Sequence, residues 1–150
     1  MIQPAQLQDL DEMVLLLLQL FSIEEDFSFD AKKQRRGLEL LLVSPTAAIM
    51  VAKDNNGVLA MATAQLVIST AEGGLSLLIE DVVVKRSRQN QGIGRQLLGA
   101  LAEWGATKGA TRMQLLADQT NGPALGFYQH EGWLQTQLIC LRKYNREDKP

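Results

Sequence analysis

Residues 75–101 read LSLLIEDVVVKRSRQNQGIGRQLLGAL. Leu77 to Val84 is an apolar run interrupted only by Glu80 and Asp81, and its β-branched end predicts a buried strand. Gly92-Ile93-Gly94 removes side chains where the chain must turn and let another group approach its backbone. Beyond it Leu97, Leu98, Leu101 and Ala102 recur at helical spacing, so a helix starts at the glycines. The free N–H groups of a helix's first turn, with the positive end of its dipole, form an anion site. Lys85, Arg86, Arg88 and Arg95 crowd the same turn with no acid among them in sequence. A phosphorylated ligand is the expectation.

Spacing separates the glycine-rich devices that hold phosphates. A P-loop needs Gly-x-x-x-x-Gly-Lys-Ser/Thr, which is missing from the sequence. The dinucleotide fingerprint needs a small residue three positions after its second glycine, where Leu97 stands. What remains is Gln/Arg-x-x-Gly-x-Gly/Ala, met by Gln89, Gly92 and Gly94. The chain here resembles the GNAT superfamily of acyl-CoA-dependent N-acetyltransferases. The resemblance implies that Gln89, Asn90, Gln91, Gly92, Ile93 and Gly94, with Arg95 beside them, cradle the coenzyme A pyrophosphate. Asn90 stands where the family usually has glycine.

A second segment carries the resemblance further. Asn121-Gly-Pro-Ala124-Leu-Gly-Phe127-Tyr128, followed by Gly132-Trp133, is similar to the family's Asn-x-x-Ala-x-x-x-Tyr helix. The resemblance implies that Asn121 and Ala124 border the coenzyme and that Tyr128 protonates the departing thiolate. A phenol with a reference pKa near ~10 stays protonated at neutral pH and suits that task. Without the family, packing on the sheet is the simpler reading of Tyr128.

Glu80 and Asp81 need a reason to interrupt a buried strand, because burying a charged carboxylate is costly unless it is paired or faces a cleft. Alternation places Glu80 on one face with Val82 and Val84, and Asp81 on the other with Val83. The resemblance makes Glu80 the general base, directly or through water, and leaves Asp81 structural or substrate-facing. The alternative is that both merely pair with Arg or Lys. It further implies that the backbone of Val82, Val83 and Val84 receives the amides of pantetheine as an added strand would.

The chain-wide properties are compatible. One domain of 150 residues, 46% apolar and 21% charged, can bury a single core. A net charge of −2 argues against a nucleic-acid partner. The single cysteine, Cys140, excludes an internal disulfide and a cysteine-rich zinc site. Set among Leu138, Ile139 and Leu141, it reads as a small buried hydrophobe. No metal is expected. No secretory signal is evident and Val14–Leu18 is too short to span a bilayer, so no membrane association and a cytoplasmic location are expected.

In chain order the pattern predicts an edge strand over 1–5, a helix over 6–21, and a helix over 31–43 capped by Asp30 and stopped by Ser44-Pro45. Strands over 47–52 and 58–70 meet at Asn55-Asn56-Gly57. A strand over 112–117, a helix opened by Gly122-Pro123 and a last strand over 133–143 follow the central unit. His130 reads as surface beside exposed Gln129 and Glu131. The expected fold class is a single-domain mixed α/β, mostly antiparallel sheet flanked by helices, as in the GNAT fold.

The acidic run Glu24, Glu25, Asp26 would attract a cationic amine. A solvated charge run is the equal alternative. The resulting expectation is an acetyl-CoA-dependent N-acetyltransferase acting on a small-molecule or peptide amine. The resemblance adds a homodimer formed through late strands. Two other readings are a non-catalytic acyl-CoA sensor on the same scaffold and an ATP-binding protein using the glycine turn.

Overall fold

The computed structural model describes residues 1–24 and 27–145. Among the described residues nine elements follow one another: β1 (Ile2–Pro4), α1 (Leu10–Ile23), α2 (Ala31–Val43), β2 (Ala47–Asp54), β3 (Gly57–Ser69), β4 (Gly74–Val84), α3 (Ile93–Thr107), β5 (Ala110–Leu115) and α4 (Gly122–His130). Single turns of 3-10 helix precede α1 and follow β4. The strands lie in sequence order in one sheet, antiparallel from β1 to β4 and parallel between β4 and β5.

Local chemistry explains the boundaries. The Asp30 carboxylate accepts from the amides of Lys32 and Lys33, while Gln34 Oε1 accepts from the Asp30 amide at 2.6 Å, so both orphan ends of the first turn of α2 are closed. The start of α1 is later than periodicity suggests. Asp9, buried, accepts from the Gln6 amide at 2.8 Å and pairs with Lys53 at 2.6 Å, and this holds Leu7–Asp9 in a tighter turn.

The sheet is covered on both faces. On one side Leu77, Ile79, Ala60, Ala62 and Ala64 pack against Ile93, Leu97, Leu98 and Leu101 of α3. On the other, Ile49, Val51, Met61 and Val83 meet Met13, Leu16 and Leu17 of α1 and Leu38 of α2. A Cβ on Gly105 would stand 3.0 Å from Leu77, so glycine lets α3 lie close on β4.

Three expectations fail at the C-terminal end. Residues 133–143 form no strand, and Leu134, Leu138, Ile139 and Leu141 are each at least 74% exposed. Alternation specifies which face a strand would bury but not whether it pairs, and the outer edge of β5 carries no partner among the described residues. Cys140 is exposed for the same reason, not a buried hydrophobe. His130 is on the surface as expected, whereas its neighbour Glu131 is largely buried.

Candidate active site

The parallel ladder between β4 and β5 stops early. Leu75 to Ile79 pair with Ala110 to Leu115, and Glu80 to Val84 continue without β5 beside them. The two strands therefore part at Ile79, and the acidic pair stands at the fork.

A fault in the β3–β4 ladder coincides with that point. Thr63 pairs with Glu80 and Met61 with Val83, so Asp81 and Val82 together oppose the single residue Ala62. Asp81 absorbs the extra residue at φ +54°. The left-handed region is uncommon outside glycine, and Asp is among the residues that tolerate it best. This bulge corrects the alternation read from sequence. Val82 and Val84 pack on the α3 side together with Ile79. Glu80, opposite Thr63, shares the α1–α2 face with Val83 rather than with Val82 and Val84.

The two carboxylates have different surroundings. Glu80 is exposed. Asp81 is half-buried, and burial, followed by the Glu80 charge, pushes its carboxyl up to about 6. The Thr63 hydroxyl opposes that rise by donating to Asp81 Oδ2 at 3.3 Å, and it also reaches the Glu80 carbonyl at 3.1 Å.

At the far end of β4 the chain enters the glycine turn. Asn90 (φ +63°) and Gly92 (φ +81°) are both left-handed. Asn90 thus takes the backbone conformation for which glycine is usual, and asparagine is one of the few replacements that reach it cheaply. The first helical bond of α3 runs from the Gln96 amide to the Gly92 carbonyl, leaving the amides of Ile93, Gly94 and Arg95 without acceptors inside the helix. Gln89 turns back, its Nε2 donating to the Val84 carbonyl at 3.1 Å. Gln19 of α1 donates to the same carbonyl at 2.9 Å. Of the backbone expected to receive an amide arm, Val84 O therefore already carries two donors.

The basic turn is less free than its sequence suggests. Asp54 pairs with Arg88 at 2.8 Å, and Arg88 also donates to Gln91 Oε1 at 3.1 Å. Glu131 pairs with Arg95 at 3.4 Å. Acids distant in sequence thus neutralise two of the four cations, while Arg86 makes no ion pair among the described residues.

Tyr128 sits in α4, whose start is set by Asn121: its Oδ1 accepts from the Ala124 amide at 3.2 Å, with Pro123 in the first turn. The phenol ring packs edge-on to Phe127 (5.3 Å between centroids) and Trp133 (5.9 Å), and the Trp133 amide donates to the Tyr128 carbonyl. Phe127 in turn lies against Gly94, where a Cβ would come within 3.4 Å of the ring. Thus α4 and the glycine turn are in direct contact. Burial, then the negative charge of Glu24, pushes the Tyr128 phenol up to about 12. Glu24 ends α1 on one face of the sheet and Tyr128 packs with the α3 face on the other.

Glu25 and Asp26 lie outside the described residues. Thr63, Gln19 and Asp54 were not legible as site residues. Each acts through a contact distant in sequence, and none belongs to a local motif. Among the described residues there is no group of three or more His, Cys, Asp or Glu able to hold a metal, and no helix is long and apolar enough to cross a membrane.

Comparison with known proteins gives one family match and several matches of fold. The profile of the Acetyltransferase (GNAT) family matches residues 14–133. A search of curated proteins finds no match. Among solved structures, a possible acetyltransferase from Clostridium difficile 630 superposes with TM-score 0.84 at 19% identity, covering 98% of each chain. Aminoglycoside N-acetyltransferase AAC(6')-Iy in complex with CoA gives 0.83 at 18% identity, over 97% of this chain and 95% of that one. A transcriptional regulator from Bacillus halodurans C-125 gives 0.83 at 22%, over 96% and 98%. At these identities the likeness concerns the fold.

Proposed function

The chain belongs to the Acetyltransferase (GNAT) family, and from that premise we propose that it transfers an acetyl group from acetyl-CoA directly to a primary amine, small and cationic. The observation that carries this reading is the fork between β4 and β5 at Ile79, with Glu80 at its mouth and the open amides of Ile93, Gly94 and Arg95 beyond its far end. An extended, amide-containing arm with an anionic end fits such a groove: the backbone of Val82 and Val83 meets the arm, and the turn from Gln89 to Arg95 meets the pyrophosphate. Asn121 and Ala124 border the same groove, and the capping bond of Asn121 leaves its Nδ2 to donate.

Transfer needs no covalent enzyme intermediate. The neutral acceptor nitrogen attacks the thioester carbonyl carbon, Glu80 takes its proton directly or through water, and Tyr128 gives its proton to the sulfur as the C–S bond breaks. A phenol raised to about 12 remains protonated across the physiological range. Asp81 is a substrate-facing or structural neighbour whose partial protonation lowers the charge crowding on Glu80. Glu24, with Glu25 and Asp26, favours a cationic acceptor. The AAC(6')-Iy structure, an aminoglycoside N-acetyltransferase, is consistent with an amine acceptor.

A cytoplasmic location and a homodimer complete the proposal. The exposed Leu134, Leu138, Ile139 and Leu141 are the apolar surface that self-association would cover, and light scattering reads it. A non-catalytic sensor is the competing reading. Acetyl-CoA-dependent thiol release, screened over diamines, polyamines, aminoglycosides and peptide amines, decides between them. Turnover with any amine supports the enzyme, and acetyl-CoA binding with no turnover across the panel supports the sensor.

A further inference from the structure

The glycine turn before α3 is held from outside by a hairpin remote from it in sequence. Asp54 ends β2 at that hairpin and uses both carboxylate oxygens. Its Oδ1 accepts from the Asn56 amide at 2.8 Å, and its Oδ2 pairs with Arg88 Nη1 at 2.8 Å. The Asn56 amide, then Arg88, holds the Asp54 carboxyl below the ordinary carboxylate range, so it is charged at neutral pH. The hairpin is itself pinned to the rest of the fold. Glu12 of α1 accepts from the Val58 amide at 2.8 Å, and the Leu59 carbonyl accepts from the Lys85 amide at 2.8 Å.

Arg88 passes this anchorage on. While Nη1 meets Asp54, its Nε donates to Gln91 Oε1 at 3.1 Å. A guanidinium has donors only, so it decides which end of the Gln91 amide turns toward it. Oε1 is taken, and Nε2 is left to donate elsewhere. Gln91 stands between Asn90 (φ +63°) and Gly92 (φ +81°), the two left-handed residues of the turn. A side-chain-bearing residue stays in that region where surrounding contacts over-determine the backbone. The chain of contacts from Asp54 through Arg88 to Gln91 supplies one such constraint beside Asn90.

Resting on the reading of this turn as a coenzyme A pyrophosphate site, we propose that Asp54 is a positioning residue for binding of the acetyl donor. It fixes Arg88 so that the guanidinium orients Gln91 as a hydrogen-bond donor to the coenzyme, instead of meeting the phosphates itself. The sign of the effect separates this role from simple electrostatics. An acid near an anion site repels the anion, so removing its charge alone would tighten binding, by an amount that salt screens over about 8 Å. Loss of positioning weakens binding instead.

Asp54→Asn tests this in the full chain, because it removes the charge and keeps an oxygen for the Asn56 amide. In amide NMR spectra of the coenzyme-free protein it is expected to shift the signals of Gln89 to Gly94 and to leave those of Leu97 and Leu101, in the core, where they are. In calorimetric titration with coenzyme A, its affinity is expected to fall about two- to tenfold. Gln91→Ala should lose a similar factor, and the two substitutions together little more than either alone. Unmoved turn signals, unchanged or tighter coenzyme A binding by Asp54→Asn, or fully additive losses would each overturn the role of Asp54 while the coenzyme reading stands. A wild-type chain that binds no coenzyme A would overturn both, so the two failures are told apart.

Discussion

The Thr63 hydroxyl donates to the Asp81 carboxylate across the fault where the β3–β4 ladder slips by one residue. The same hydroxyl reaches the Glu80 carbonyl, so one proton serves two acceptors while Asp81 is charged. Protonation of Asp81 relieves the competition, since the acid can then donate to Thr63.

Stability should record this. With its carboxyl raised from 3.8 to about 6, Asp81 binds more proton in the folded chain than in the unfolded one between those values. Its contribution is therefore most favourable below about pH 4 and is lost as pH rises toward and past about 6. Asp81→Asn removes the buried charge and keeps a residue tolerant of the left-handed backbone. In urea unfolding it is expected to exceed wild type by up to roughly 3 kcal/mol at pH 8, with the gain vanishing near pH 4. A constant difference across that range would refute the assignment.

Turnover should separate the two carboxylates from the phenol. Glu80→Gln is expected to lower kcat/KM by roughly 10²–10⁴-fold, while Asp81→Asn retains most of it. Tyr128→Phe should lose kcat by a similar factor with unchanged acetyl-CoA affinity, because the ring contacts with Phe127 and Trp133 survive. Since the phenol ionises only near 12, an alkaline loss of rate below about pH 11 belongs to another group. Steady-state pH profiles of the three variants read all of this.

The glycine turn offers a comparison of two neighbouring substitutions. Gly92 holds φ +81° with nothing within 4 Å of an added Cβ, so Gly92→Ala acts through backbone strain, about 1–2 kcal/mol. Gly94 has no such conformation, and its added Cβ would meet Phe127 at 3.4 Å. That is ordinary van der Waals contact, so Gly94→Ala should leave stability near wild type and act on the approach of the proposed pyrophosphate to the turn. Thermal unfolding paired with acetyl-CoA titration distinguishes them: Gly92→Ala loses Tm first, and Gly94→Ala loses affinity first.

Asn121 couples stability to the site. Asn121→Ala deletes the cap of α4 and is expected to cost about 1 kcal/mol. Asn121→Ser restores a capping oxygen and should recover most of that stability. Because Ser lacks the amide that proposed coenzyme contacts would use, acetyl-CoA affinity should remain weakened. Full recovery of both by Ser would leave Asn121 a cap alone.

What the residues settled by themselves was local. Asp30, Ser44-Pro45, Asn55-Asn56-Gly57 and Asn121-Gly122-Pro123 set helix and hairpin boundaries through contacts within a few positions, and the structure follows them. The glycine turn opening α3 was equally legible, because backbone conformation there depends on the residues that form it. Long-range geometry decided the rest. Parity along β4 broke at Asp81 because a bulge is set by pairing with β3, which single-strand alternation does not contain. Arg88 and Arg95 lost their apparent freedom to Asp54 and Glu131, brought in by the fold. The apolar alternation of 133–143 built no strand, since pairing with the sheet is a long-range event that a single strand's alternation does not contain.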